Sequence, residues 1–215
     1  MILNTESAVK IAESLLQIKA IKLNPTTPFQ WASGWNSPIY CDNRKTLSYP
    51  PVRTFIRQQF VDAINERYPN VEVIAGVATG GIALGALVAE AMGLPFAYVR
   101  SASKGHGLQN MIEGDISENQ KVVVIEDLIS TGGSSLKAVS ALREHGANVL
   151  GMVAIFTYGF EIAENNFKEN KCDLVTLSDY NSMINAAVTA NYVTEANVDS
   201  LTEWRKSPST WNPNK

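Results

Sequence analysis

Apolar residues recur at close to helical spacing from Thr5 to Ile18, at Val9, Ile11, Ala12, Leu15, Leu16 and Ile18. That spacing predicts a helix capped by Thr5 or Ser7. Pro25 and Pro28 break the pattern beyond it, and residues 33–43 read as an extended segment entered through a turn. Pro50-Pro51 opens a second helix with Val52, Phe55, Ile56, Phe60 and Ile64 on one face. Short apolar runs at 71–76, 95–99, 122–127, 149–156 and 173–177 read as strands. Between them lie helical patterns from Ile82 to Met92 and from Ser134 to His145, stopped by Gly93 and Gly146.

Strands alternating with helices predict an α/β fold: a mostly parallel twisted sheet flanked by helices. The strands lack apolar–polar alternation, as expected when both faces of a sheet are covered. Ligands in such sheets bind outside the carboxyl ends of the strands, near a topological switch point. Residues 100–119 carry neither period, and a long irregular loop inside a compact domain points to function. The tail from Ser207 to Lys215 reads as loosely ordered.

One run admits two readings. No charge occurs from Val73 to Ala89, seventeen residues between Glu72 and Glu90. That length sits at the short edge of a membrane span. Gly76, Thr79, Gly80, Gly81 and Gly85 interrupt it, so strand, glycine turn and helix describe it better.

Composition narrows the function classes. The chain has 215 residues, with 18 basic and 21 acidic side chains and a net charge of −3. This length favours a single domain, and the acidic balance disfavours a protein that coats nucleic acid. Cys41 and Cys172 stand far apart, without metal-ligand spacing, and fit a reducing, cytoplasmic setting. The start of the chain lacks the pattern of a secretory signal.

The candidate chemistry concentrates after the 122–127 run. A β-branched strand delivers Glu126 and Asp127, and then come Leu128, Ile129, Ser130, Thr131, Gly132, Gly133, Ser134 and Ser135. The glycines allow a tight turn, the hydroxyls add donors, and the start of the next helix presents open N–H groups to a phosphate. No GxxxxGK[ST] or GxGxxG occurs. Two carboxylates would repel the phosphate itself. They suit a ligand with hydroxyls near its phosphate, as in ribose 5-phosphate.

Residues 122–135 resemble the signature of the phosphoribosyltransferases that use 5-phosphoribosyl 1-diphosphate. Ser37-Pro-Ile-Tyr-Cys-Asp-Asn-Arg and Tyr98-Val-Arg-Ser-Ala-Ser-Lys-Gly-His-Gly are similar to segments of the orotate-using branch, the orotate phosphoribosyltransferases. The resemblance runs from about Leu15 to Tyr158. It implies a single domain over 1–215, whose first ~45 residues form a small hood above the base site. It also implies Mg²⁺-dependent transfer of phosphoribosyl from phosphoribosyl diphosphate to orotate, giving orotidine 5′-monophosphate and pyrophosphate in pyrimidine biosynthesis.

By the same resemblance, Glu126 and Asp127 hold the ribose hydroxyls, and Leu128 to Ser134 wrap the 5-phosphate. Ser130 contacts orotate. Arg100, Lys104 and His106 bind the pyrophosphate beside the turn at Ala78, Thr79, Gly80 and Gly81. Mg²⁺ is held mainly by substrate, and a homodimer is expected because the loop closes over a neighbouring subunit's site. Some members carry lysines where this chain has Ala32, Gly80 and Ser101, and an orotate-contacting arginine where it has Tyr158. The anion-binding role then shifts toward Arg100, Lys104, His106, Arg44 and backbone N–H groups. Arg44 is either a partner of the orotate carboxylate or a surface arginine after a strand. A phosphoribosyltransferase for another base, or a non-catalytic nucleotide- or RNA-binding regulator on the same fold, are the competing readings.

Overall fold

The computed structural model describes residues 1–31, 34–101 and 111–212. Lys104, His106 and Ala32 therefore lie outside the described residues, as does the end of the tail. Helix α1 (Thr5–Gln17) leads into strands β1 (Ile21–Leu23), β2 (Phe29–Gln30), β3 (Asn36–Ser37) and β4 (Ile39–Cys41). A short 3-10 helix (Asn43–Ser48) and α2 (Pro50–Arg67) come next. The body of the domain alternates as β5 (Val73–Val77), α3 (Gly80–Met92), β6 (Phe96–Val99), β7 (Ile112–Glu113), β8 (Lys121–Ile129), α4 (Gly133–Glu144) and β9 (Asn148–Thr157). It ends in α5 (Glu161–Glu169), β10 (Leu174–Asp179), α6 (Tyr180–Thr189) and α7 (Glu195–Lys206).

Among the described residues the main sheet has the order β10–β9–β8–β5–β6–β7. Its strands run parallel except β7, which pairs antiparallel with β6. The two faces bury alternate residues of the same strands. Val123, Ile125, Val153 and Ile155 face the cluster built with α1, α2, α3 and α6. Val122, Val124, Met152 and Ala154 face the cluster containing α4 and α5. Continuous apolar runs are what this arrangement requires, because no strand residue in the middle of the sheet meets water.

Strand β5 bonds β6 on one side and β8 on the other, so the chain reverses direction across the sheet between them. That switch point opens a crevice at the carboxyl ends of β5 and β8. Close approach of α3 to the sheet depends on small residues. A Cβ on Gly81 would overlap the Ile125 carbonyl, and one on Gly85 would lie 2.7 Å from Cε2 of Phe96. Because the Ile125 carbonyl is backbone in the middle of β8, it cannot step aside. Gly81→Ala should therefore lower unfolding free energy by about 1–3 kcal/mol, the usual cost of overpacking, measured by urea denaturation. A change within about 0.3 kcal/mol would mean that α3 has slack to move outward.

Several boundaries differ from the pattern-based reading. Asn4, rather than Thr5 or Ser7, caps α1, its Oδ1 accepting from the Ser7 N–H at 2.9 Å. The β8 strand continues past both acids to Ile129, because Leu128 and Ile129 still pair with Phe156 and Thr157 of β9. Helix α3 begins at Gly80, so the expected turn there is shorter. The irregular stretch after Arg100 contains the short strand β7. Helices α5, α6 and α7 are additions to the elements that the apolar spacing predicts. The tail is more settled than expected as far as Asn212: the Thr210 and Trp211 N–H groups bond the Ser207 carbonyl, and Trp211 packs on the core.

The uncharged run is resolved into β5 and α3. Among the described residues no helix is long and apolar enough to cross a membrane. Of the extended segment expected at 33–43, Asn36–Ser37 pairs antiparallel with β2 and Ile39–Cys41 with β1, while Asn43 already opens the 3-10 helix. Trp204 of α7 pins this region from the far end of the chain. It is fully buried, and its indole N–H donates to the Asn36 carbonyl at 3.1 Å.

Candidate active site

At the switch point, β5 is followed by Ala78 and Thr79, joined by a cis peptide bond. The Ala78 N–H donates to the Val99 carbonyl at 2.8 Å, which ties this turn to β6 and to Arg100 just beyond it. Opposite stands the end of β8. Ala78, Thr79, Gly80, Cys41, Asp42, Arg44, Glu126, Asp127, Leu128 and Ser134 line one open cleft of about 360 Å³. Residues from four separate stretches thus converge on one crevice, within the size range of small-molecule sites.

The two acids have different surroundings. Glu126 is only 6% exposed, on the α4 side of the sheet. Its Oε2 accepts from the Ser135 hydroxyl at 2.8 Å, and its Oε1 from the Asp127 N–H at 3.0 Å. Burial, reinforced by the adjacent Asp127 charge, pushes the Glu126 carboxyl up to about 8. The sequence pattern offers the Ser135 hydroxyl to a phosphate; in the fold it is buried and engaged by Glu126. Asp127 is half-buried and leans over Gly80: a Cβ at that position would overlap its carboxyl group. Glycine at 80 leaves room for Asp127.

The raised Glu126 carboxyl has a stability consequence. Its folded value of about 8 lies above its unfolded value of 4.5, so the protonated form favours the folded state. That contribution is complete below about pH 4.5 and is lost as pH rises through about 8. Denaturant titrations from pH 5 to pH 9 should show a decline on the order of a few kcal/mol, and Glu126→Gln should flatten it. If the variant reproduces the wild-type slope, Glu126 is not the group responsible.

The turn after β8 presents a bare helix start. Gly132 holds a left-handed conformation (φ 81°) as the N-cap of α4, and no side chain caps the helix. A Cβ on Gly132 would also lie 2.7 Å from Cε2 of Phe167. The first N–H groups of α4 are therefore not taken by a side-chain cap, the arrangement that receives anions. Ser130, Thr131, Gly133 and Ser134 surround this point. Thr131 is fixed through its carbonyl, which accepts from Asn166 Nδ2 at 2.9 Å. Ile129 does not join them: its side chain is fully buried in the core below the turn.

A second pocket of about 280 Å³ adjoins the cleft and shares Cys41 and Leu128 with it. Gln30, Trp31, Tyr40, Ser130 and Tyr158 complete its walls. Tyr158 is held among four rings, stacked on Phe160 at 5.4 Å and flanked by Trp31, Phe156 and Trp204. This pocket offers flat apolar surfaces with a few neutral polar groups.

Other expected residues divide clearly. Arg44 lines the cleft and not the aromatic pocket, and its Nε donates to Asp42 Oδ1 at 2.7 Å. Arg100 stands at the same edge of the sheet but does not line the cleft. Its Nη1 is buried without a hydrogen bond among the described residues, 3.6 Å from Glu113 Oε1. Asn43 is a site residue that the sequence pattern does not single out. It is fully buried, and its Nδ2 donates to the Asp127 carbonyl at 2.6 Å, while its Oδ1 accepts from the Cys41 thiol at 3.2 Å. The 84-position separation of Asn43 and Asp127 leaves no local signal for that bond.

Comparison with known proteins identifies the arrangement. The family model described as phosphoribosyl transferase domain matches residues 51–191. Orotate phosphoribosyltransferase of Porphyromonas gingivalis is 59% identical over 201 residues, covering 94% of this chain and 96% of the relative. Orotate phosphoribosyltransferase of Enterococcus faecalis is 54% identical, covering 96% and 99%. Among solved structures, orotate phosphoribosyltransferase from Aeropyrum pernix superposes with a TM-score of 0.74 at 26% identity, covering 86% of this chain and 99% of that one. With the crevice at the switch point, the acid pair and the bare helix start already in place, these likenesses show that the chain belongs to the phosphoribosyltransferase family, within its orotate phosphoribosyltransferase branch.

Proposed function

We propose that the chain transfers the 5-phosphoribosyl group of phosphoribosyl diphosphate to orotate, giving orotidine 5′-monophosphate and pyrophosphate. The observation that carries this reading is the side-by-side placement of an uncapped helix start, two acids and an aromatic pocket along one sheet edge. The substrate has the same three parts in the same order: phosphate, diol and planar base. The 5-phosphate is received by the first N–H groups of α4, with Ser130, Thr131, Gly132, Gly133 and Ser134 around it. Asp127 and Glu126 take the ribose hydroxyls. Orotate lies in the pocket of Trp31, Tyr40, Ser130 and Tyr158.

Transfer breaks the ribose C1–O bond to the diphosphate and forms a C1–N bond to the orotate ring nitrogen, which attacks as its anion. Positive character grows on the sugar and negative charge on the leaving diphosphate. Arg100, Lys104, His106 and the Thr79–Gly80 turn are assigned to that diphosphate. Binding charge that appears only in the transition state is what accelerates the step. Asp127 and Asp42 supply hard oxygen donors beside the cleft, the class that suits Mg²⁺, although no described group of three such side chains could hold a metal ion. Mg²⁺, when bound mainly through substrate oxygens, neutralises charge on the diphosphate. Homodimerisation, with Lys104 and His106 serving a neighbouring subunit's site, and a cytoplasmic setting complete the proposal.

A panel of acceptor bases tests it. Purified protein with phosphoribosyl diphosphate and Mg²⁺ should form nucleotide from orotate. Transfer to hypoxanthine or uracil but not to orotate would overturn the assignment of the acceptor. Tight RNA binding with a steep salt dependence and no turnover would overturn the enzyme reading.

A further inference from the structure

A fully buried amide stands between the aromatic pocket and the acid pair. Asn43 opens the 3-10 helix, in a place where an apolar side chain of similar volume would be cheaper to bury. Both ends of its amide are engaged. Oδ1 accepts from the Cys41 thiol at 3.2 Å, and Nδ2 donates to the Asp127 carbonyl at 2.6 Å. With a donor on one side and an acceptor on the other, a flipped amide would present the wrong group to each, so the side chain has one orientation.

The two contacts lead to different parts of the site. Cys41 lines both the cleft and the aromatic pocket. Asp127 lies on β8 past Ile125, where the register with β5 ends while pairing with β9 continues. Side chains hold the Asp127 main chain there: its N–H donates to Glu126 Oε1 at 3.0 Å, and its carbonyl accepts from Asn43. Because Asn43 grips the carbonyl, its bond uses neither carboxylate oxygen of Asp127. We propose that Asn43 is a positioning residue for the transfer, fixing the Asp127 carboxylate over the ribose hydroxyls and joining it to the wall of the aromatic pocket through Cys41. This rests on Asp127 holding the ribose. Placement of this kind matters because a shift of about 1 Å in a reacting arrangement can cost about a hundredfold in rate.

Asn43→Leu keeps the volume and removes both hydrogen bonds. Its kcat/KM for phosphoribosyl diphosphate should fall about tenfold. A double-mutant cycle separates positioning from general support of the fold. In an Asp127→Asn background the same substitution should cost less than about threefold, because the carboxylate that Asn43 places is already gone. Asn43→Ser, whose hydroxyl ends one bond short of the Asp127 carbonyl, should show the same pattern, and it carries the cycle if circular dichroism shows that the Leu variant does not fold. A loss of about tenfold in both backgrounds would overturn the inference, as would a folded single variant within about twofold of wild type. Failure of both variants to fold would assign Asn43 to the fold and overturn it too. Each of these results leaves the proposed function standing while wild type makes orotidylate; a wild type that forms no nucleotide from orotate would remove both.

Discussion

Lys104→Ala is expected to reduce kcat for orotidylate formation by about 10²–10³-fold, the usual cost of losing one preorganised group that meets developing charge. Negative charge on the diphosphate grows as the C1–O bond opens, so a cation placed there helps the transition state more than the ground state. The described part of the site cannot replace it. Arg100 is drawn toward Glu113 at 3.6 Å, and Arg44 toward Asp42 at 2.7 Å, so both of these described cations at this edge already face carboxylates. Orotate KM should change by less than about threefold. A raised KM for phosphoribosyl diphosphate with unchanged kcat would instead assign Lys104 to ground-state binding.

Asp127→Asn should lower kcat/KM by about tenfold to a hundredfold with little loss of stability. Asparagine fills the same space beside Gly80, and the main-chain bond from Asn43 to the carbonyl of residue 127 is untouched. What disappears is one negative charge facing the ribose hydroxyls. The same charge helps to hold the Glu126 carboxyl up, so the variant should also move the Glu126 titration downward from about 8. Activity near wild type would show that the sugar is not held from this side. Activity loss with an unmoved pH profile would show that the two acids are not electrostatically linked.

The parts of this protein that can be read from its sequence are those set by local pattern. Four β-branched residues at Val122–Ile125 announce a strand buried on both faces, and two acids with a glycine-rich turn mark its functional end. Uncharged residues 73–89 divide correctly because glycines sit where the backbone of α3 must approach the sheet. The boundaries fail where pairing extends a strand beyond its apolar run, as at Leu128 and Ile129. The aromatic pocket is hidden for a different reason. Its walls combine Trp31, Leu128 and Tyr158, and Trp204 braces them from another helix, so no window of the chain contains the pattern. Asn43 is hidden in the same way, a buried amide whose purpose lies on a strand 84 residues away. Departures from the family pattern also become intelligible only in three dimensions. Gly80 gives Asp127 its space, and Tyr158 lines a pocket whose described walls hold no lysine, arginine or histidine.

Division of the substrate between the α4 helix start, the two acids and the aromatic pocket is tested most directly by a crystal structure of the protein with orotidine 5′-monophosphate. The phosphate should lie against the N–H groups of Gly133 to Ser135, the ribose hydroxyls within hydrogen-bond reach of Asp127, and the base between Tyr40 and Tyr158. A phosphate seated elsewhere, or a base lying over Arg44 with the aromatic pocket empty, would contradict that division.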